Sequence, residues 1–140
     1  VERSSKRPSG RDGKLDPQLE LGHTMGHALE IRKNGQLLHG EAIAIGMTVE
    51  SKISTAMGFM KPELAVRIEN IFKKIGLPTR IPADISIDEI LETLTFDNKR
   101  RTAINDFFLL ENFNSFHKEN GKISCKVPEP LLRQVLESAY

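Results

Sequence analysis

A chain of 140 residues with 39% hydrophobic content is long enough to bury one core, and its length favours a single domain. The 20 Lys and Arg residues nearly balance the 19 Asp and Glu residues, so no strong field draws the chain to nucleic acid or to an anionic membrane. Cys125 is the only cysteine, which excludes an internal disulfide and a cysteine-based zinc cluster. No apolar stretch approaches the roughly 20 residues of a membrane span. We therefore expect a cytoplasmic protein whose partner is a small molecule.

The beginning of the chain differs from the rest. Residues 1–18 are polar, and the chain starts at Val1 rather than at a methionine. Four of these residues break any helical or strand period: Pro8, Gly10, Gly13 and Pro17. We interpret residues 1–18 as a divergent or disordered junction in a longer protein, and residues 19–140 as the folded domain.

Two helices are predicted in the first part of this domain. In the text LELGHTMGHALEI the apolar residues recur at helical spacing, which predicts a helix that begins near Gly22. After a break at Asn34 and Gly35, the stretch from His39 reads HGEAIAIGMTVESKISTAMGF. It is apolar almost without interruption, which is typical of a buried helix. Its small residues would let another backbone come close.

A third helix is predicted from Pro62, because proline suits the first helical turn. Gly76 and Pro78 then form the stop signal. The helix is amphipathic, with one predicted apolar face made of Leu64, Ile68, Ile71, Phe72 and Ile75.

The last third of the chain mixes helices with short strands. Ser86 and Glu89 match a capping box, so a fourth helix should follow and end near Phe96. The runs DFFLLE and KISCKV are typical of short strands, the second one after an Asn-Gly turn signal. Pro130 opens a last helix through Leu136. The fold class is therefore mainly α, with a small β-hairpin or short strands near the C-terminus.

His23 and His27 are four residues apart, so on a helix their side chains project from the same face. Metal enzymes use this spacing because a rigid helix fixes two imidazoles without ordering a loop. A pair of solvated or core histidines has the same spacing. Spacing alone leaves both interpretations open.

His39 adds a third imidazole at the start of the apolar helix. We expect His39 and Glu41 to be buried there, where an imidazole needs hydrogen-bond partners or a metal. The plainer alternative is that His39 ends a loop and that Glu41 favours the positive N-terminus of the helix.

Two segments carry a resemblance to a known family. GHTMGHALE at residues 22–30, followed by LHGEAIAIGM at residues 38–47, resembles the signature of the 3-dehydroquinate synthase family of sugar-phosphate cyclases. The similarity starts near Leu19, passes through the DNKR motif at residues 97–100, and covers the C-terminal domain of the family only. It implies that residues 19–140 are the helical C-terminal metal-binding domain of an α/β + α enzyme. The N-terminal NAD-binding domain of such an enzyme is absent from this chain.

The resemblance implies a role for individual residues. His23 and His39 would be two ligands of a zinc or cobalt ion, and the third ligand would be a Glu upstream of this chain. His27 would lie by the substrate and its phosphate rather than on the metal, which corrects the ligand-pair interpretation of His23 and His27. Lys99 would contact the substrate, because Asn98 replaces the first Lys of the motif that usually reads DKK.

Two departures from the signature resemble one branch of the family, the 2-deoxy-scyllo-inosose synthases. Glu20 stands three residues before His23, where dehydroquinate synthases have Asn, and DNKR replaces DKK. A carboxylate in place of an amide changes which substrate hydroxyl is bound and whether a proton is accepted. Glu20 is therefore a candidate catalytic residue, with a plain acidic residue at a helix N-terminus as the alternative. A third departure is Asp16, at a position where the family usually has Arg. It favours the interpretation of residues 1–18 as a divergent junction.

The resemblance implies oxidation of a phosphorylated sugar by NAD, elimination of phosphate, reduction, and closure of a carbocycle. For this chain we expect glucose 6-phosphate as the substrate of a homodimeric full-length enzyme of aminoglycoside biosynthesis. The chain alone should be inactive. The alternatives are a 3-dehydroquinate synthase acting on its seven-carbon precursor, an iron-type alcohol or glycerol-1-phosphate dehydrogenase, and an inactive fragment or interaction module.

Overall fold

The computed structural model describes residues 21–97, 106–113, 115–118, 121 and 124–140. Five helices lie in this part of the chain, and all five match helices that the sequence predicts: α1 (His23–Lys33), α2 (His39–Ala56), α3 (Pro62–Lys74), α4 (Ile87–Asp97) and α5 (Glu129–Glu137). The mainly α fold class is therefore confirmed. None of these helices is long and apolar enough to cross a membrane. The predicted junction at residues 1–18 lies outside the described residues.

Local signals set the ends of the helices. Asn34 takes the left-handed conformation, with φ 52°, and its N–H donates to the Glu30 carbonyl oxygen at the end of α1. Gly76 follows α3 with φ 84°, a conformation that glycine adopts without a steric cost. The capping box of α4 is present. Ser86 N–H donates to Glu89 Oε1 at 2.9 Å, and Glu89 N–H donates to Ser86 Oγ at 3.1 Å.

Glycines allow α1 and α2 to pack backbone against backbone. A Cβ atom at Gly26 would lie 2.9 Å from the Ala42 carbonyl oxygen, and one at Gly46 would collide with the Gly22 carbonyl oxygen. The two contacts place residue 22 opposite residue 46 and residue 26 opposite residue 42, so the helices run antiparallel. The prediction that the small residues of α2 admit a second backbone is confirmed. This close contact fixes the position of the start of α1 on α2.

The DFFLLE run forms two strands instead of one. β1 (Asp106–Phe108) pairs with β4 (Ser124–Lys126), and β2 (Leu110–Asn112) pairs with β3 (Ser115–Phe116). Both pairs are antiparallel and two-stranded. Leu109 separates β1 from β2, and its carbonyl oxygen accepts the His117 N–H at 2.7 Å. The expectation of short strands near the C-terminus is confirmed, and the chain changes strand partner at Leu109.

The main core lies between α1, α2, α4, α5 and the β1–β4 pair. Burial of large apolar side chains, each contributing about 1.5–3 kcal/mol, stabilises this arrangement. The largest fully buried apolar side chains of this core are Phe107, Met25, Leu29, Ile45, Ile53, Ile90, Leu94, Leu109, Leu132 and Leu136. The end of the chain is tied to the α3–α4 connection, because Ala139 O accepts the Ile81 N–H at 2.9 Å and Tyr140 O–H donates to Ile85 O at 2.6 Å.

The predicted apolar face of α3 is only partly correct. Ile68 is buried, and Leu64 and Phe72 are partly buried against it. Ile71 and Ile75 continue the same stripe in the sequence but are 50% and 66% exposed. The described residues cover one edge of the stripe and leave the other open, so the spacing of apolar residues overstated how much of α3 is buried.

A carboxylate on α3 is surrounded by cations. Glu69 has a side chain only 14% exposed and lies 4.0 Å from Lys52 Nζ, 3.6 Å from Lys73 Nζ and 3.7 Å from Arg80 Nε. Thr79 Oγ1 donates a hydrogen bond to Glu69 Oε2 at 2.9 Å. Burial acts to raise the pKa of Glu69, but the Thr79 hydrogen bond and the three positive charges outweigh it and hold the pKa below its ordinary value.

Glu69 should make stability depend on acid pH. Because its pKa is lowered by folding, the ionised group stabilises the fold above the unfolded-state pKa of 4.5, and this contribution is lost as pH falls through the folded-state pKa. We expect Glu69→Gln to cost about 1–2 kcal/mol at pH 7 and to flatten the loss of stability below pH ~4.5. Urea unfolding at several pH values measures both effects. Glu63→Gln, an exposed position on the same helix, is the control, and an equally steep acid loss in Glu69→Gln would contradict the assignment.

Candidate metal centre

His23 is the first residue of α1, immediately after Gly22, which has φ 79°. The His23 side chain is partly buried, and its Nδ1 lies 3.2 Å from the Leu21 carbonyl oxygen. A carbonyl oxygen only accepts hydrogen bonds, so the proton of a neutral imidazole sits on Nδ1. The lone pair is then on Nε2, which has no hydrogen-bond partner among the described residues. His23 is thus arranged as a nitrogen donor.

His39, the first residue of α2, has the same arrangement with a stronger partner. Its Nδ1 lies 2.9 Å from Glu30 Oε2. A carboxylate on Nδ1 fixes the tautomer and the ring orientation, as it does for histidines that bind metals. The expectation that His39 is buried is wrong, because its side chain is 58% exposed. α2 enters the core only after its first turn, so its N-terminus remains at the surface.

The two imidazoles converge. The centroids of the His23 and His39 rings are 5.4 Å apart, and the ring planes are tilted by 58°. Two imidazoles that bind one zinc ion through nitrogens at ~2.0–2.1 Å have ring centroids roughly 5 Å apart. The distance and the two hydrogen-bonded Nδ1 atoms therefore suit a pair of Nε2 ligands. The donor set, two neutral nitrogens, fits zinc or cobalt.

Glu41 has a capping role, as in the plainer alternative. Its Oε1 accepts the Leu38 N–H at 3.2 Å, before the first turn of α2. The Glu41 side chain is partly exposed, so the expectation of a buried Glu41 is wrong as well. A carboxylate here also interacts favourably with the positive end of the helix.

The structure separates the three predicted histidines into a pair and an exposed neighbour. His27 lies one turn after His23 on α1 and is exposed, whereas His23 contacts His39. Within the described ranges, no group of three or more His, Cys, Asp or Glu side chains is arranged to hold a metal. His23 and His39 are therefore a pair of candidate ligands, without a third such side chain placed beside them in this part of the chain. The predicted catalytic residues Glu20 and Lys99 lie outside the described residues.

Sequence reasoning missed two glutamates next to the histidine pair. Glu30 contacts His39 directly. Glu50 is 2% exposed, and its two oxygens accept the N–H groups of Gly22 and Met25 at 2.9 and 3.2 Å. A charged residue in the middle of an apolar helix was a signal for Glu50, because an acid is almost never fully buried without partners.

Comparison with known proteins shows which family the chain resembles. Residues 9–100 match the family described as 3-dehydroquinate synthase C-terminal. A 3-dehydroquinate synthase from Thermodesulfovibrio yellowstonii is 41% identical over 90 residues, which is 64% of this chain and 25% of the relative. A 2-deoxy-scyllo-inosose synthase from Streptomyces kanamyceticus is 34% identical over 124 residues, or 85% of this chain and 32% of the relative.

A solved structure shows the same fold. The crystal structure of a 2-deoxy-scyllo-inosose synthase complexed with carbaglucose-6-phosphate, NAD+ and Co2+ superposes with a TM-score of 0.77 at 30% sequence identity. The match covers 87% of this chain and 33% of that structure. The chain thus spans about a quarter to a third of the length of these relatives. It belongs to the 3-dehydroquinate synthase family of sugar-phosphate cyclases and corresponds to the C-terminal domain of that family.

Proposed function

We propose that this chain is the metal-binding domain of an NAD-dependent sugar-phosphate cyclase. We further propose that the cyclase is a 2-deoxy-scyllo-inosose synthase, which acts on glucose 6-phosphate in aminoglycoside biosynthesis. One observation carries the proposal: His23 and His39 converge with their Nδ1 atoms hydrogen-bonded to acceptors, which leaves two Nε2 atoms for one cation. The solved relative that contains Co2+, NAD+ and a glucose-phosphate analogue supports it.

In this proposal His23 and His39 hold a zinc or cobalt ion. A bound divalent ion supplies Lewis-acid stabilisation of negative charge that develops on substrate oxygens. Glu30 holds the His39 ring in orientation, and the Leu21 carbonyl oxygen does the same for His23. The third protein ligand and the NAD+ site belong to a part of the enzyme upstream of this chain, and the active site lies between the two domains, in a full-length homodimer.

Three residues are proposed to act on the substrate. His27 is exposed on the turn of α1 that follows His23, so its ring is accessible to a phosphorylated ligand. Lys99 would contact the substrate near its phosphate as a point charge. Glu20 would accept a hydrogen bond or a proton from a sugar hydroxyl. This assignment follows the family motifs in the sequence.

A second candidate is a 3-dehydroquinate synthase, which acts on the seven-carbon precursor of dehydroquinate. The 41% identical relative carries that name, which favours this candidate. Two residues favour glucose 6-phosphate instead. Glu20 is a carboxylate where the dehydroquinate synthase signature has Asn, and Asn98 is an amide where it has Lys. The two candidates share the metal pair and differ only in the substrate.

An assay of phosphate release by the full-length protein with NAD+ and Co2+ distinguishes the two substrates. For the proposed cyclase we expect glucose 6-phosphate to release inorganic phosphate without accumulation of NADH, because the hydride returns before the ring closes. Phosphate release from the seven-carbon substrate alone would establish the dehydroquinate synthase instead. The 140-residue chain alone should show no turnover, since two imidazoles are an incomplete catalytic metal site.

Two other outcomes would overturn the proposal. Accumulation of NADH without phosphate release would identify a dehydrogenase of the iron-dependent type. Absence of turnover with both substrates, in a protein that is folded and loaded with metal, would identify an inactive relative. His39→Ala in the full-length protein is the matched control for metal-dependent phosphate release. It should lower the rate by about 10³-fold or more, because the metal no longer stabilises negative charge on the substrate oxygens. Each ~1.4 kcal/mol of lost stabilisation lowers the rate tenfold.

A further inference from the structure

The first turn of α1 is capped by a residue far away in the sequence. The N-cap residue of α1 is Gly22, which has no side chain to accept a hydrogen bond from a helix N–H. Glu50, in the middle of α2, takes this role. Its Oε1 accepts the Gly22 N–H at 2.9 Å and its Oε2 accepts the Met25 N–H at 3.2 Å. Glu50 is 2% exposed, so the carboxylate has exchanged water for these backbone donors.

The Gly22 N–H and the Leu21 carbonyl belong to the same peptide group. One end of that peptide donates to Glu50 Oε1, and the other end lies 3.2 Å from His23 Nδ1. The carboxylate, the peptide and the imidazole thus form one hydrogen-bonded chain. In such a chain each bond polarises the next, so an acceptor at one end strengthens the acceptor at the other.

We propose that Glu50 is a positioning residue for His23 and acts through the Leu21–Gly22 peptide. The carboxylate orients this peptide and polarises its carbonyl, which keeps the His23 proton on Nδ1 and the lone pair on Nε2. The inference rests on the proposed metal-binding function. The two ligands are then supported in parallel ways: Glu30 contacts His39 directly at 2.9 Å, and Glu50 reaches His23 through one peptide group.

The packing around Gly22 supports this role. Gly22 has φ 79°, and a Cβ atom there would lie 2.6 Å from Met47 Cγ and 2.9 Å from the Ile43 carbonyl oxygen. Both atoms belong to α2, the helix that carries Glu50. The peptide is therefore held by α2 from two sides, by contact and by hydrogen bond. A tautomer set by so rigid an element should be insensitive to small changes elsewhere in the core.

NMR of the imidazole nitrogens in the metal-free 140-residue chain tests the inference without any activity. In the wild type we expect His23 and His39 to carry the proton on Nδ1. In Glu50→Gln, which keeps the size but offers one acceptor for two N–H donors, His23 should become a mixture of tautomers while His39 is unchanged. Glu30→Gln should produce the reverse pattern. Ile53→Val, a buried change on the same helix, controls for a general loss of packing and should alter neither ring.

Binding of Zn2+ to the same variants is the second measurement. We expect Glu50→Gln to raise the Zn2+ dissociation constant by about 10-fold, the lower end of the range for partners that orient metal ligands. A folded Glu50→Gln variant that keeps the wild-type His23 tautomer and Zn2+ affinity would overturn the inference. If the variant does not fold, the wild type still decides, because His23 protonated on Nε2 would overturn it equally. A full-length protein that binds no Zn2+ or Co2+ would refute the proposed function, while the tautomers of the 140-residue chain would still test Glu50.

Discussion

Replacing His39 with alanine is expected to weaken Zn2+ binding to this chain by about 10- to 100-fold, which corresponds to roughly 1.4–2.7 kcal/mol. His39 and His23 are the two imidazoles that converge, with ring centroids 5.4 Å apart, so the variant leaves a single nitrogen ligand. A zinc ion with one imidazole ligand and water in its other coordination positions is bound weakly, because structural and catalytic zinc sites use three or four protein ligands. Titration calorimetry measures the change, and the NMR signals of His23 report whether the remaining ring still binds.

His117→Ala is the matched control for this experiment. His117 also has its Nδ1 next to a glutamate, at 2.8 Å from Glu111 Oε2, but its ring stacks on Phe59 with centroids 3.5 Å apart. The variant therefore removes an imidazole–carboxylate pair of the same type from another part of the fold. Zn2+ affinity should stay within about twofold of wild type. Equal losses in His39→Ala and His117→Ala would show that zinc binds histidines of this chain indiscriminately and would contradict the metal pair.

Replacing Gly46 with alanine is expected to destabilise the chain by about 2–4 kcal/mol. The new methyl group would collide with the Gly22 carbonyl oxygen and lie 2.9 Å from Gly26 N. Both contacts are backbone atoms, one of the N-cap residue of α1 and one of α1 itself, and they cannot move aside as the end of a flexible side chain can. The two helices must separate, and His23 then moves relative to His39. Urea unfolding measures the loss of stability, and Zn2+ titration at low temperature should show weaker binding in the same variant.

Gly40→Ala provides the comparison on the same helix. Gly40 is exposed near the start of α2, and a Cβ atom there meets nothing within 4 Å. Alanine is favoured over glycine in helices by up to about 1 kcal/mol, so Gly40→Ala should leave stability unchanged or raise it slightly. If both substitutions had the same effect, helix propensity rather than the close approach of α1 and α2 would govern this part of the fold.

The sequence alone determined the local features of this domain. The helices follow from apolar spacing with period 3.6 and from glycine, proline and the Ser86–Glu89 capping box, all of which act within a few residues. The family followed from the motifs around His23 and His39. These features were predictable because the interactions that specify them are short in range, or because the motif itself is specific.

The tertiary structure decided everything that depends on contacts between distant residues. Three features depend on which elements become neighbours: the exposure of His39 and Ile75, the division of DFFLLE between two strand pairs, and the cap that Glu50 places on α1. Gly22 and Glu50 are 28 residues apart, so no local period relates them. Apolar spacing predicts which face of a helix prefers to be buried, but only packing determines whether another element covers it, and which polar groups that element brings along.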